Sequence, residues 1–161
     1  MIQSLGTLSR VVCAVLAAST APGPAASQER LTRDQVLAAL ARSTPEHPAD
    51  LSGKDLSRLD LEGVDFKRAN LTKARLVGTN LSNAQLFSAT LTDAVATDAN
   101  FTGANLNVAV AYRVDLRRAV LRDASLFAVI LYDADLSDAD LTGARLIGPM
   151  SNAKAPRAKF V

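Results

Sequence analysis

An apolar residue occupies every fifth position from Leu51 to Leu146, twenty times in succession without insertion or slip. A period of five matches neither the 3.6 of an α-helix nor the 2 of a flat strand. It suits short extended segments in which the fifth-position residue, here called the centre, points the same way as the residue two before it, with a turn of small polar residues after. The centres are Leu in sixteen units, with Phe66, Ala96, Phe101 and Ala111 in the rest. Two before the centre stands Ala in fourteen units, the exceptions being Lys54, Leu59, Val64, Thr79, Val114 and Val129. One such unit cannot bury its own apolar residues, so the units must stack. The expected architecture is an all-β solenoid.

Runs such as Ala69-Asn70-Leu71-Thr72-Lys73 and Ala134-Asp135-Leu136-Ser137-Asp138 resemble the A(D/N)LXX units of the pentapeptide-repeat family. The resemblance covers residues 51–146. It implies a right-handed quadrilateral β-helix with four pentapeptides per coil, hence about five coils. The family is functionally diverse, so the likeness speaks mainly to fold. A four-sided coil puts residues twenty apart directly above one another. At that spacing Val110 meets Ile130 and Tyr112 meets Tyr132, while Arg113 falls between Asp93 and Asp133 and Arg118 between Asp98 and Asp138. Stacked residues about 4.8 Å apart touch as cross-strand pairs do, so these columns are mutually compatible.

Residues 1–27 read as a secretory signal: Arg10 is the positive start, Val11 to Ala18 an apolar run, and Ala25-Ala26-Ser27 a small-residue cleavage site before Gln28. An uncleaved anchor is the alternative. Cleavage would remove Cys13, the single cysteine, and leave basic and acidic residues within one charge of balance. That composition favours neither a polyanionic nor a polycationic partner, and no disulfide or thiol chemistry is open to the mature chain. Residues 28–48 form a second segment. Val36, Leu37, Leu40 and Ala41 make a helical stripe, Thr32 and Gln35 are spaced as a capping box, and Pro45 and Pro48 end the helix near Ser43. A short N-terminal capping α-helix over Leu51, Leu56 and Leu61 is expected, with the β-helix occupying 49–148. In the tail, 149–161, the register slips by one and centres would fall at Ala155 and Phe160. Either the tail folds back over coil five or that end meets another molecule.

Catalytic residue sets are scarce. His47, the only histidine, lies between prolines in the linker, which leaves the solenoid without a natural general base. His and Cys are too few for a metal site. Asp133, Asp135, Asp138 and Asp140 are close in sequence, but their repeat positions favour surface decoration over a cation or glycosidase pair. Gly53, Gly63, Gly78, Gly103, Gly143 and Gly148 share one repeat position and are assigned to turns, so no phosphate loop is present. No enzyme activity, metal or cofactor is expected.

Two departures from the repeat stand out. Outward positions carry Phe87, Val108, Val110, Tyr112, Phe127, Ile130, Tyr132 and Ile147, which the four-sided mapping gathers around the corner joining the fourth side to the first. Such a strip marks a contact surface, unless the tail packs over it. Arg117 and Arg122 face Thr97 with Ser137 and Thr102 with Thr142, leaving them free to hold an anion or simply solvated. Together these features predict an exported, non-enzymatic structural or protein-interaction module of a bacterial cell envelope, periplasmic or secreted. Its partner would be another protein or a second copy, with neither nucleic acid nor membrane involved beyond the signal. The alternative, taken from family members that protect DNA gyrase by mimicking duplex DNA, requires a large negative field.

Overall fold

A computed structural model describes residues 29–160, so the signal segment 1–27 and its cleavage site lie outside the described residues. From Asp50↔Asn70 to Val120↔Asp140, each residue before a centre bridges in parallel to the one twenty positions on. The pairing lengthens into strands β1 (Ser125–Phe127) and β2 (Arg145–Ile147), which run parallel with Leu126 opposite Leu146. Four pentapeptides thus close each turn. Coils one to five are numbered here from residues 49, 69, 89, 109 and 129, with sides one to four in chain order.

The pentapeptide is explained by where its five N–H groups go. In 69–73, Ala69 donates to Phe66 across the turn (2.8 Å), Asn70 to Ala49 in the coil below (2.9 Å), and Leu71 and Lys73 to Thr90 and Thr92 in the coil above (2.7 and 2.8 Å). The fifth, on Thr72, has no backbone partner and donates to the Asn70 side chain (3.1 Å). Asp or Asn before the centre is therefore a satisfier of the one orphan N–H, an Asx turn repeated round the coil. Asp55, Asp65, Asn100, Asp115 and Asp135 do the same for Ser57, Lys67, Thr102, Arg117 and Ser137. Across coils the same positions form side-chain ladders, Asn70 to Asp50 at 3.0 Å and Asn80 to Asp60 at 2.8 Å.

Inside, centres and the residues two before them make one continuous core from Leu51 to Leu141. Ala96 and Phe101, on consecutive sides of coil three, are both fully buried, so the small centre is offset by a large neighbour within one layer. Thr79, also fully buried, takes an Ala position by donating its hydroxyl to the Leu56 carbonyl at 2.9 Å.

Below coil one, residues 29–31 add an extended segment to side two, with Asp55 and Glu29, then Leu31 and Asp55, exchanging backbone hydrogen bonds at 2.9 Å. Helix α1 (Arg33–Ala41) follows, begun by a complete capping box between Thr32 and Gln35. Its stripe differs from the expected one. Val36 is fully buried, but Leu37 is 37% exposed and Ala41 exposed; Leu31, ahead of the helix, joins the core instead, and Ala39 and Leu40 pack partly against it. Of the nine residues of this helix only Val36 is buried. Lys54, Leu59 and Val64, exceptions to Ala, all belong to coil one, where this segment replaces a lower coil.

Above coil five the tail neither folds back nor covers the apolar corner. It continues the stack, with Leu131, Asp133, Leu136, Asp138 and Leu141 donating to Pro149, Ser151, Lys154, Pro156 and Lys159. The bridges Asp135↔Lys154 and Asp140↔Lys159 are nineteen apart, one short of the register below. Gly148 causes this and corrects its assignment to a turn: a Cβ there would lie 2.2 Å from the Val129 carbonyl oxygen, and its φ is not in the left-handed region. Only a residue without a side chain passes so close, and Pro149 after it lacks the N–H that would bond downward.

Candidate functional site

The turn after every centre from Leu51 to Leu141 places the second residue in the left-handed region. Gly does this without cost, and Asp and Asn tolerate it. Sixteen non-glycine residues adopt it among those described, with φ from 51° to 61°. Val108, at φ 59°, is the sole β-branched one. A branched side chain there is a true outlier, and such strain persists where function holds it.

Val108 lies on the corner between sides four and one, where Phe87, Val108, Phe127 and Ile147 are 39%, 44%, 54% and 63% exposed. Neighbouring side one carries Val110, Ile130, Tyr112 and Tyr132, all partly exposed. Val110 bridges Ile130 directly, and the tyrosine rings stand 5.6 Å apart at 51°. All eight residues named from the sequence thus share one ridge and flank, ordered by the coil pitch of about 4.8 Å. At its foot an open groove of about 580 Å³ is lined by Ser43, Thr44, Pro45, Lys67, Arg68 and Phe87. Phe127 also shows how the ridge is held: its own unit has Ser125 where Asp or Asn would be, so its N–H goes to Asn107 of the coil below at 2.8 Å. Two exposed apolar residues were not assigned to a surface by sequence: Leu37, and Phe160, the last centre described, 54% exposed.

The arginines of coil four need a correction. Arg113 grips Asp93 through two bonds of 2.7 and 2.9 Å, and Arg118 grips Asp98 at 2.7 Å twice, as the columns predict. These guanidiniums hold both carboxyls below their ordinary pKa. Arg117 and Arg122 are engaged as well. Arg117 folds back on Asp115 of its own side (2.8 and 2.6 Å), and Arg122 reaches Asp140 diagonally at 2.7 Å. Twenty-residue stacking misses both contacts because one is within a unit and the other is eighteen residues away. An anion at either would have to displace a carboxylate. Asp140 also accepts from the Thr142 hydroxyl and N–H, which with Arg122 lowers its pKa to about 2.

The aspartates of coil five do not converge. Asp135 and Asp140 belong to sides two and three and bind Ser137 and Thr142, Asp138 holds Arg157 of the tail, and Asp133 makes no ion pair among the described residues. Among the described residues no His, Cys, Asp or Glu cluster is arranged to hold a metal, and no helix is long and apolar enough to cross a membrane.

Parallel bridges at one repeat distance, four sides and a closed apolar interior define a quadrilateral β-helix. The chain belongs to the pentapeptide-repeat family: the family description "Pentapeptide repeats" matches in 8 copies over residues 49–83, 84–123 and 119–148. Two solved structures agree on the fold. A pentapeptide repeat protein, Rfr23, from the cyanobacterium Cyanothece 51142 is 21% identical at a TM-score of 0.58, covering 78% of this chain and 95% of its own. Another from Nostoc PCC 7120 is 21% identical at 0.52, covering 80% and 98%. A pentapeptide repeat protein of the Arabidopsis thaliana thylakoid lumen is 35% identical at 0.47, covering 59% of this chain, which spans 63% of its length. No curated protein matches the chain, and no catalytic family is indicated.

Proposed function

We propose that this protein is a non-enzymatic docking module of the cell envelope, a stack of five coils closed below by α1 that presents its apolar corner to a protein partner. The observation that carries this reading is the strained Val108 on that corner. A glycine would relieve the backbone, yet an apolar branched side chain is kept beside Phe87, Phe127 and Ile147, where contact area is what it supplies. Export rests on Arg10, the apolar run Val11 to Ala18 and the small residues before Gln28. Protein sequencing of the material isolated from its host then reads from Gln28; a chain beginning at Met1 inside the cell overturns the export step.

Phe127→Asp or Tyr132→Asp puts a charge into the contact and abolishes it with the fold intact, read as loss of complex in light scattering beside an unchanged circular dichroism spectrum. Complexes unaffected by both variants would remove the corner from consideration. A duplex-DNA mimic needs one continuous negative field. The coils here alternate instead: coil two carries only Lys73 and Arg75, coil three only Asp93 and Asp98. Inhibition of DNA gyrase by the purified protein would reinstate that alternative.

A further inference from the structure

Building on the corner as a docking surface, we infer that its partner is a second copy of this chain, packed side by side and antiparallel through side one of coils four and five. The columns there are self-complementary. A two-fold axis perpendicular to the solenoid, passing between coils four and five, maps coil four of one copy onto coil five of the other and leaves each column facing itself. Every residue then meets the copy of its own stacking neighbour. Val110 faces Ile130, Tyr112 faces Tyr132, and Arg113 faces Asp133, pairs already compatible within one chain. Phe127, on the adjoining corner, comes beside its own copy near the axis.

The charges select this arrangement. Arg113 spends Nε and Nη2 on Asp93, its Nη1 makes no hydrogen bond among the described residues, and Asp133 is exposed with no ion pair among them. The two-fold joins them twice, at the rim of an apolar centre. An axis along the solenoid would instead set the Arg113 column against the Phe127 corner, charge on apolar surface. End-to-end pairing at the tail end is opposed too, because its outward positions include Arg145, Lys154 and Lys159, all exposed, and two such ends bring like charge together. About four coils at 4.8 Å give a short interface, so the dimer dissociates on dilution.

Cross-linking reads the register directly. In a chain with Cys13→Ser, Tyr112→Cys and Tyr132→Cys are made separately, and each is oxidised alone and as a mixture. A disulfide needs Cβ atoms about 3.5–4.5 Å apart, so the mixture links and neither variant links alone. Sedimentation equilibrium of the wild type over a concentration series shows a monomer–dimer equilibrium, and Phe127→Asp weakens it roughly tenfold or more. Linking of Tyr112→Cys with itself, or a wild type that stays monomeric throughout, overturns self-pairing. The two failures separate through Phe127→Asp: a monomeric wild type whose capture of a different envelope protein is lost in that variant loses only the second copy as partner, whereas capture indifferent to it loses the docking corner as well.

Discussion

At the scale of single residues the repeat is a solution to backbone accounting. In a unit such as 69–73 four N–H groups find carbonyls in the turn or in neighbouring coils, and where Asp or Asn precedes the centre its side chain takes the fifth. The left-handed position after it is where residue choice has the largest local consequence. Val108→Gly removes a cost of about 1–2 kcal/mol, partly offset by the freer unfolded chain. Chemical denaturation should therefore find the variant more stable by roughly 0.5–1 kcal/mol, while self-association weakens. A stabilised variant that associates normally would mean the valine serves neither role. Gly103 is the opposite case: at φ 66°, with a Cβ that would meet the Asn83 oxygen at 2.7 Å, Gly103→Ala lowers stability by about 1 kcal/mol or more in the same measurement.

At the scale of the coil, packing is layer by layer. Phe101 fills coil three beside the deficit left by Ala96, so Phe101→Ala empties that layer and costs about 3–5 kcal/mol by urea unfolding. A loss under 1 kcal/mol would show that neighbouring coils collapse into the space. The turn into the tail depends on Gly148, whose contact with the Val129 backbone leaves no room for a methyl group. Sides two and three also carry Asp135 and Asp140, whose acidity is a stability statement. Their pKa values are depressed in the folded state by hydroxyl, amide and arginine donors, as are those of Asp50, Asp55, Asp93, Asp98 and Asp138. A depressed folded pKa contributes stability that is complete above the unfolded value and is lost as pH falls through the folded one. Thermal stability should hold down to about pH 4 and fall steeply toward pH 2. Asp140→Asn flattens the lower end of that fall, and an unchanged acid profile would show that its bonds to Arg122 and Thr142 do not matter to folding.

Across the whole molecule, charge is distributed by coil. Lys73 and Arg75 in coil two are followed by Asp93 and Asp98 in coil three, four arginines and two aspartates in coil four, four aspartates with Arg145 in coil five, and Lys154, Arg157 and Lys159 above. Each coil meets neighbours of opposite sign. Single pairs such as Arg113–Asp93, exposed as they are, contribute only about 0–1 kcal/mol. Their collective effect is on specificity, since two solenoids sliding by one coil would set like charges together. Raising ionic strength to about 1 M should weaken the side-by-side dimer at its Arg113–Asp133 rim while scarcely moving the unfolding midpoint.

The period of five by itself determined the stacked architecture, the inward centres and the columns Tyr112–Tyr132, Arg113–Asp93 and Arg118–Asp98, and the spacing of Thr32 and Gln35 determined the capping box, because each is a relation at fixed spacing along the chain. It also marked the eight apolar residues of the corner, since a residue of the wrong polarity at an outward position is visible without coordinates. Only the tertiary structure decided what happens where the spacing breaks. The tail stacks on coil five because Gly148 can approach Val129, Leu31 rather than Leu37 joins the core because the segment ahead of the helix is bonded to Asp55 of coil one, and Arg117 and Arg122 turn to Asp115 and Asp140 because long side chains reach sideways. Periodicity specifies neighbours along a column. Contacts across columns, and the backbone strain at Val108, depend on distances that no repeat length encodes.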